Sequence, residues 1–147
     1  MHKLATALLL ALAASSAIAQ QDFSKVEIKT TDLGQGLYLL MGAGGNIGLS
    51  TGPDGVVLID DQYAPLAPKI RAAITAVAAN QPIRFVLNTH WHGDHTGGNE
   101  AVIKATGAKL LAHHKSGRSI PGVDRGLAAG DIVKVGRTVE LECLDTP

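Results

Sequence analysis

Three of the six histidines in this 147-residue chain fall within six positions, at His90, His92 and His95, with the carboxylate of Asp94 among them. Neutral imidazole nitrogens and a carboxylate oxygen, at about 2.0–2.2 Å, are donors of the zinc type, and histidine-rich sets also suit iron or manganese. The donors follow the apolar stretch Phe85-Val86-Leu87 almost at once, within the run Asn88 to Asn99, so a strand delivers them into a loop. If the chain stays extended there, side chains at i, i+2 and i+4 point to one side. His90, His92 and Asp94 then converge while His95 projects differently, which lets one loop serve two adjacent ions. Gly93, Gly97 and Gly98 read as tight-turn positions that leave room above the ions. A lone histidine at a strand end is ordinarily a half-exposed polar residue, and His113 and His114 take that reading.

The run HWHGDHTGG fits the HxHxDH signature, and the chain resembles the metallo-β-lactamase superfamily from Leu33 to Pro147. The resemblance implies an α+β fold, the αβ/βα sandwich, of which this sequence would supply the first half: a mixed sheet with helices on one face, the C-terminal half missing. It also implies a zinc-dependent hydrolase with two ions in the complete enzyme. His90 and His92 would hold one ion with a third histidine expected after Pro147, and Asp94 and His95 the other with a still later histidine. A metal-bound hydroxide, formed because zinc lowers the pKa of water to about 7, would attack a lactam, thioester or ester-like carbonyl, with Asp94 also orienting the nucleophile. Histidine rather than arginine after that Asp fits the glyoxalase-II-like thioesterases, the broader metallo-hydrolases and one lactamase subclass. Cys143 does not stand where the arginine-type enzymes place a thiolate ligand and reads as a strand residue.

Asp60 ends the apolar run Val56 to Ile59. The resemblance gives an acid at such a strand end a place beneath the metal loop, where it would orient a ligating imidazole or brace the loop. A turn or helix-start carboxylate is the alternative for Asp60 and the preferred reading for Asp61.

The elements that must position these residues follow from periodicity. Val26–Thr30 and Gly36–Met41 read as strands separated by a turn over Thr31–Gly34. Asn46–Thr51 and Val56–Asp60 form a hairpin about Pro53-Asp54-Gly55. Leu66, Ile70, Ala73, Ile74 and Val77 put an apolar stripe on a helix from Pro65 to about Ala79-Asn80, leaving Lys69 and Arg71 as solvated charges. Ile83–Asn88 is the delivering strand, Asn99–Thr106 a helix closed by Gly107, and Lys109–His113 a buried strand, a succession that indicates parallel pairing. Ser116 to Gly130 reads as a long loop. Asp131–Val135 and Thr138–Glu142 form a hairpin with a two-residue Gly136-Arg137 turn of type II′.

Composition sets the outer bounds. With 46% hydrophobic residues, 18% charged and zero formal net charge, the chain is an ordinary globular candidate of one domain. The absence of a basic excess and the 3% aromatic content argue against nucleic-acid binding. Residues 1–19 read as an export signal: Lys3, an apolar segment from Leu4 to Ala14 too short to span a bilayer, and a small-residue cleavage site at Ala17-Ile18-Ala19. The expectation is a periplasmic or secreted domain over residues 20–147, with no integral membrane span after cleavage and a small-molecule substrate. The single Cys143 allows no intrachain disulfide. Four donors from one loop cannot complete two tetrahedral sites, so the alternative is a truncated, non-catalytic product that binds metal weakly or not at all.

Overall fold

The computed structural model describes residues 22–145. The expected export signal and its cleavage near Ala19 lie outside them. Among the described residues no helix is long and apolar enough to cross a membrane.

Seven strands form one mixed sheet in chain order: β1 (Lys29–Gly34), β2 (Leu37–Met41), β3 (Ile47–Gly52), β4 (Gly55–Ile59), β5 (Ile83–Asn88), β6 (Lys109–His113) and β7 (Arg125–Leu127). The first four are antiparallel; β4 through β7 run parallel. A 3-10 turn, Ala64–Leu66, leads into helix α1 (Ala67–Ala78), which connects β4 to β5; α2 (Gly93–Thr96) and α3 (Asn99–Thr106) connect β5 to β6. Parallel pairing brings the C-terminal ends of β4, β5 and β6 to one edge, the edge at which open α/β sheets bind ligands.

Both longer helices pack on the same side. Ile70, Ile74 and Ala78 of α1 and Val102 of α3 join Leu40, Leu49, Leu58, Val86 and Leu110 in one buried core. Strand β4 reads as an unbroken apolar run because it is covered on both faces: Leu58 faces the helices, and Val57 on the other side is 1% exposed. That second face is covered by a separate hairpin, β8 (Ile132–Val135) with β9 (Val139–Glu142). Its Val133 meets Leu111 and Leu127, with Phe85, Leu87, Leu141 and Cys143 partly buried around them.

Four expectations change. The first strand begins at Lys29 and includes the segment expected to turn, pairing Lys29 with Met41 through Asp32 with Tyr38. The turn falls instead at Gly34-Gln35-Gly36, all at positive φ. Asp32 and Leu33 are exposed, so ladder hydrogen bonds, which leave no trace in hydropathy, decide that strand. Within the expected loop 116–130, Arg125–Leu127 pairs with the free edge of β6. The last hairpin turns over three residues, since Val135 opposes Val139; Asp54 accepts hydrogen bonds from the Arg137 amide (2.8 Å) and the Thr138 hydroxyl (2.9 Å), tying this turn to the β3–β4 turn. Finally, Lys69 is not a free surface charge. Its Nζ donates to the carbonyls of Phe23 (3.1 Å), Ser24 (2.7 Å) and Val26 (2.6 Å), fastening the segment before β1 against α1.

Candidate metal centre

The metal loop leaves β5 at Asn88 and does not stay extended. His92 keeps extended backbone angles, but its carbonyl accepts from the amides of His95 (3.0 Å) and Thr96 (3.1 Å), so Gly93–Thr96 closes as one helical turn. This turn corrects the i, i+2, i+4 picture. It folds His95 back beneath His90, with ring centroids 4.0 Å apart, while His92 stands edge-on to His90 at 4.8 Å. Asp94 Oδ2 lies 3.5 Å from His95 Nε2. The four side chains therefore form one cluster. Among the described residues, however, no three His, Cys, Asp or Glu side chains converge on one point as a metal site requires.

Beneath the cluster lies a buried polar platform supplied by the end of β4. Asp60 is 3% exposed and left-handed, with φ 63°, a conformation that aspartate tolerates better than most residues. Its Oδ1 accepts the Thr89 amide (2.8 Å); its Oδ2 accepts the Thr89 hydroxyl (2.7 Å) and His95 Nδ1 (2.7 Å). These contacts fix two tautomers. A carboxylate offers no proton, so His95 Nδ1 is the donor; Nε2, 3.5 Å from Asp94 Oδ2, holds the lone pair whenever the ring is neutral. The Thr89 hydroxyl spends its proton on Asp60, so it accepts from His90 Nδ1 at 3.0 Å, and a neutral His90 ring likewise carries a bare Nε2. A ligating histidine with its other nitrogen hydrogen-bonded to such a partner is the usual arrangement around zinc. The donor set thus fits a divalent cation in kind and tautomer, although its members do not share a focus.

Asp61, read from sequence as a turn residue, is fully buried. Its Oδ1 accepts the Gly98 amide at 2.9 Å, while Oδ2 has no hydrogen-bond partner. Desolvation pushes its carboxyl up to about 7, against the Gly98 hydrogen bond and with help from the neighbouring Asp60 charge. Asn88 and Asn99 extend the platform: Asn99 Nδ2 donates to Asn88 Oδ1 (2.7 Å), and Asn88 Nδ2 to the His95 carbonyl (3.2 Å), which also receives the Asp61 amide (3.0 Å). Gly97 and Gly98 serve packing below the loop rather than room above it. A Cβ at Gly97 would lie 2.9 Å from the Gln62 carbonyl oxygen, and one at Gly98 would lie 2.7 Å from that of Asp61.

Thr89, Asn88, Asn99 and Gln62 were not singled out by sequence. Thr89 and Asn88 flank the first histidine and Asn99 ends the motif, so proximity was the available signal. Trp91 is 57% exposed and lies edge-on to His92 at 4.5 Å. His113 is half-buried, 3.4 Å from Asp145, and His114 is exposed.

The sequence profile of the metallo-beta-lactamase superfamily matches residues 41–142. The chain belongs to that superfamily. A hydroxyacylglutathione hydrolase of Polaromonas sp. (strain JS666) is 70% identical over 73 residues, which make up 50% of this chain and 28% of that protein. One from Rhodospirillum rubrum is 36% identical over 86 residues, 57% of this chain and 33% of that protein. Among solved structures, BJP-1, a subclass B3 metallo-beta-lactamase of Bradyrhizobium japonicum, superposes with a TM-score of 0.73 at 25% identity, covering 86% of this chain and 55% of that one. SMB-1, another metallo-beta-lactamase, superposes with a TM-score of 0.71 at 26% identity, covering 86% and 56%. The alignments with the curated relatives thus take in about a third of their length or less, and those with the solved structures slightly more than half. The superpositions agree with the expected α+β architecture, the mixed sheet with helices on one face.

Proposed function

We propose that the chain carries the metal loop of an exported, zinc-dependent hydrolase that cleaves a small-molecule thioester, with His90, His92, Asp94 and His95 as metal ligands. The pair of tied imidazoles carries this reading: both His90 and His95 are held at Nδ1 and present Nε2. When bound, zinc would supply an acidified water and polarise the carbonyl under attack; iron or manganese suits the same donors. Asp60 holds His95 directly and His90 through Thr89, so one buried carboxylate sets two ligands. Asp94, whose Oδ2 lies 3.5 Å from His95 Nε2, would accept a hydrogen bond from the attacking water and orient it. A thioester is preferred to a lactam because the 70%-identical relative is named a hydroxyacylglutathione hydrolase. Export rests on the charge and hydropathy of residues 1–19, and signal cleavage near Ala19 would leave a periplasmic or secreted domain.

The lack of a common three-ligand focus among the described residues favours a second reading in one respect. On that reading four donors that share no focus hold metal weakly, and turnover is slow or absent. The test is zinc content and binding stoichiometry of the purified chain, followed by hydrolysis of a hydroxyacylglutathione thioester and a chromogenic cephalosporin. Zinc bound through His90 and His95, with any cleavage small, thioester-directed and abolished by a chelator, is expected. A folded chain that retains no zinc at millimolar supply would contradict the proposal.

A further inference from the structure

We propose that Gln62 is a positioning residue for the Asp94–His95 half of the centre: it clamps the side-chain-free Gly45 backbone as a plate against which the His95 imidazole packs. Gln62 is 0% exposed and holds a left-handed backbone, φ 56°. Its side-chain amide donates to the Gly45 carbonyl, in the loop between β2 and β3. Its own carbonyl accepts the Gly98 amide at 3.0 Å, at the far end of the metal loop. One residue therefore bolts two loops together, and the two meet at His95.

The plate is in direct contact with the ring. A Cβ at Gly45 would overlap the His95 imidazole, lying 2.8 Å from Nδ1 and closer still to Cε1 and Nε2; one at Gly44 would lie 2.7 Å from the Asp94 Cβ. No side chain fits between. The hydrogen bond to Asp60 holds one edge of the ring, at Nδ1; the Gly45 backbone packed against the ring limits its remaining tilt and aims Nε2. The chemistry of Gln62 supports the assignment. Its Oε1 is buried without a partner, an unfavourable state that a leucine or methionine of similar volume would avoid. A buried amide with one idle end is accounted for by the work of the other end, the bond to Gly45.

The test separates the ring from the metal, because only the metal arm rests on the proposed function. Three variants are compared with the wild-type chain: Gln62→Met keeps length but removes the donor, Gly45→Ala keeps the donor but thickens the plate, and Ile74→Val loosens the helix-covered core away from the site. Imidazole 15N shifts are measured without metal, and zinc affinity by calorimetry. Gln62→Met and Gly45→Ala are expected to move the His95 ring signals and weaken zinc binding about tenfold, as losses of supporting contacts around ligands do; Ile74→Val moves neither. An unmoved His95 ring in folded Gln62→Met overturns the assignment. If Gln62→Met does not fold, an unmoved ring in Gly45→Ala does so. Should the wild-type chain bind no zinc, the hydrolase reading fails while the ring signals still decide the role of Gln62.

Discussion

His90 and His95 are held at Nδ1 by Thr89 and Asp60, whereas His92, between them in sequence, is exposed and meets His90 and Trp91 only ring edge to ring. The rooted pair is tied to the residues that immediately follow β5 and β4, Thr89 and the buried Asp60; the free pair, Trp91 and His92, is exposed. Spacing within HxHxDH therefore does not decide which histidines are preset. What lies beneath the loop decides it, and that is one carboxylate, Asp60, just past the end of a different strand.

The difference can be sharpened from below, and the largest expected effect is on stability. Asp61 supports the rooted half through Gly98, and its carboxyl is pushed up to about 7, against about 3.9 for an aspartate in an unfolded chain. The folded state holds this proton more tightly, so the contribution of Asp61 to stability is full below about pH 4 and is lost as pH rises through about 7. Chemical denaturation of the metal-free chain should show Asp61→Asn escaping a decline that reaches up to about 4 kcal/mol in wild type. Parallel pH profiles for the two proteins would refute it.

Next in size is Asp60→Asn. Replacing the acceptor by an amide frees His95 to adopt the other tautomer and unties Thr89, and zinc affinity by calorimetry should fall about 10- to 100-fold. Thr89→Val removes the hydroxyl that donates to Asp60 and accepts from His90; of these two hydrogen bonds only the second holds a histidine, and at about 1 kcal/mol its loss should weaken zinc binding about fivefold. Trp91→Ala, in the free half, should leave folding stability within about 0.5 kcal/mol and zinc affinity nearly unchanged. If Trp91→Ala weakened zinc more than Thr89→Val, the distinction between rooted and free halves would be broken.

Much of the scaffold was legible because its signals are local. The stripe through Ile70 and Ile74, the Gly107 cap and the apolar run Val56–Ile59 each announce an element within a dozen residues. Strands β1 and β7 were misread because their residues are mostly exposed and their pairing partners, not their own hydropathy, create them. The site was legible as a set of donors but not as a geometry. The helical turn at Gly93–Thr96 depends on carbonyl capping by His92, and the burial of Asp61 and Gln62 depends on close approach of Gly98 and Gly97 from a distant part of the chain. Such contacts carry no periodic trace.

The imidazole tautomers test the central claim most directly. In long-range 1H–15N NMR spectra of the metal-free chain at pH 8, where histidines are ordinarily neutral, His90 and His95 should each appear protonated at Nδ1 with a bare Nε2, and His92 as a mixture. Signals placing the His95 proton on Nε2, or averaging it as in His92, would contradict the account.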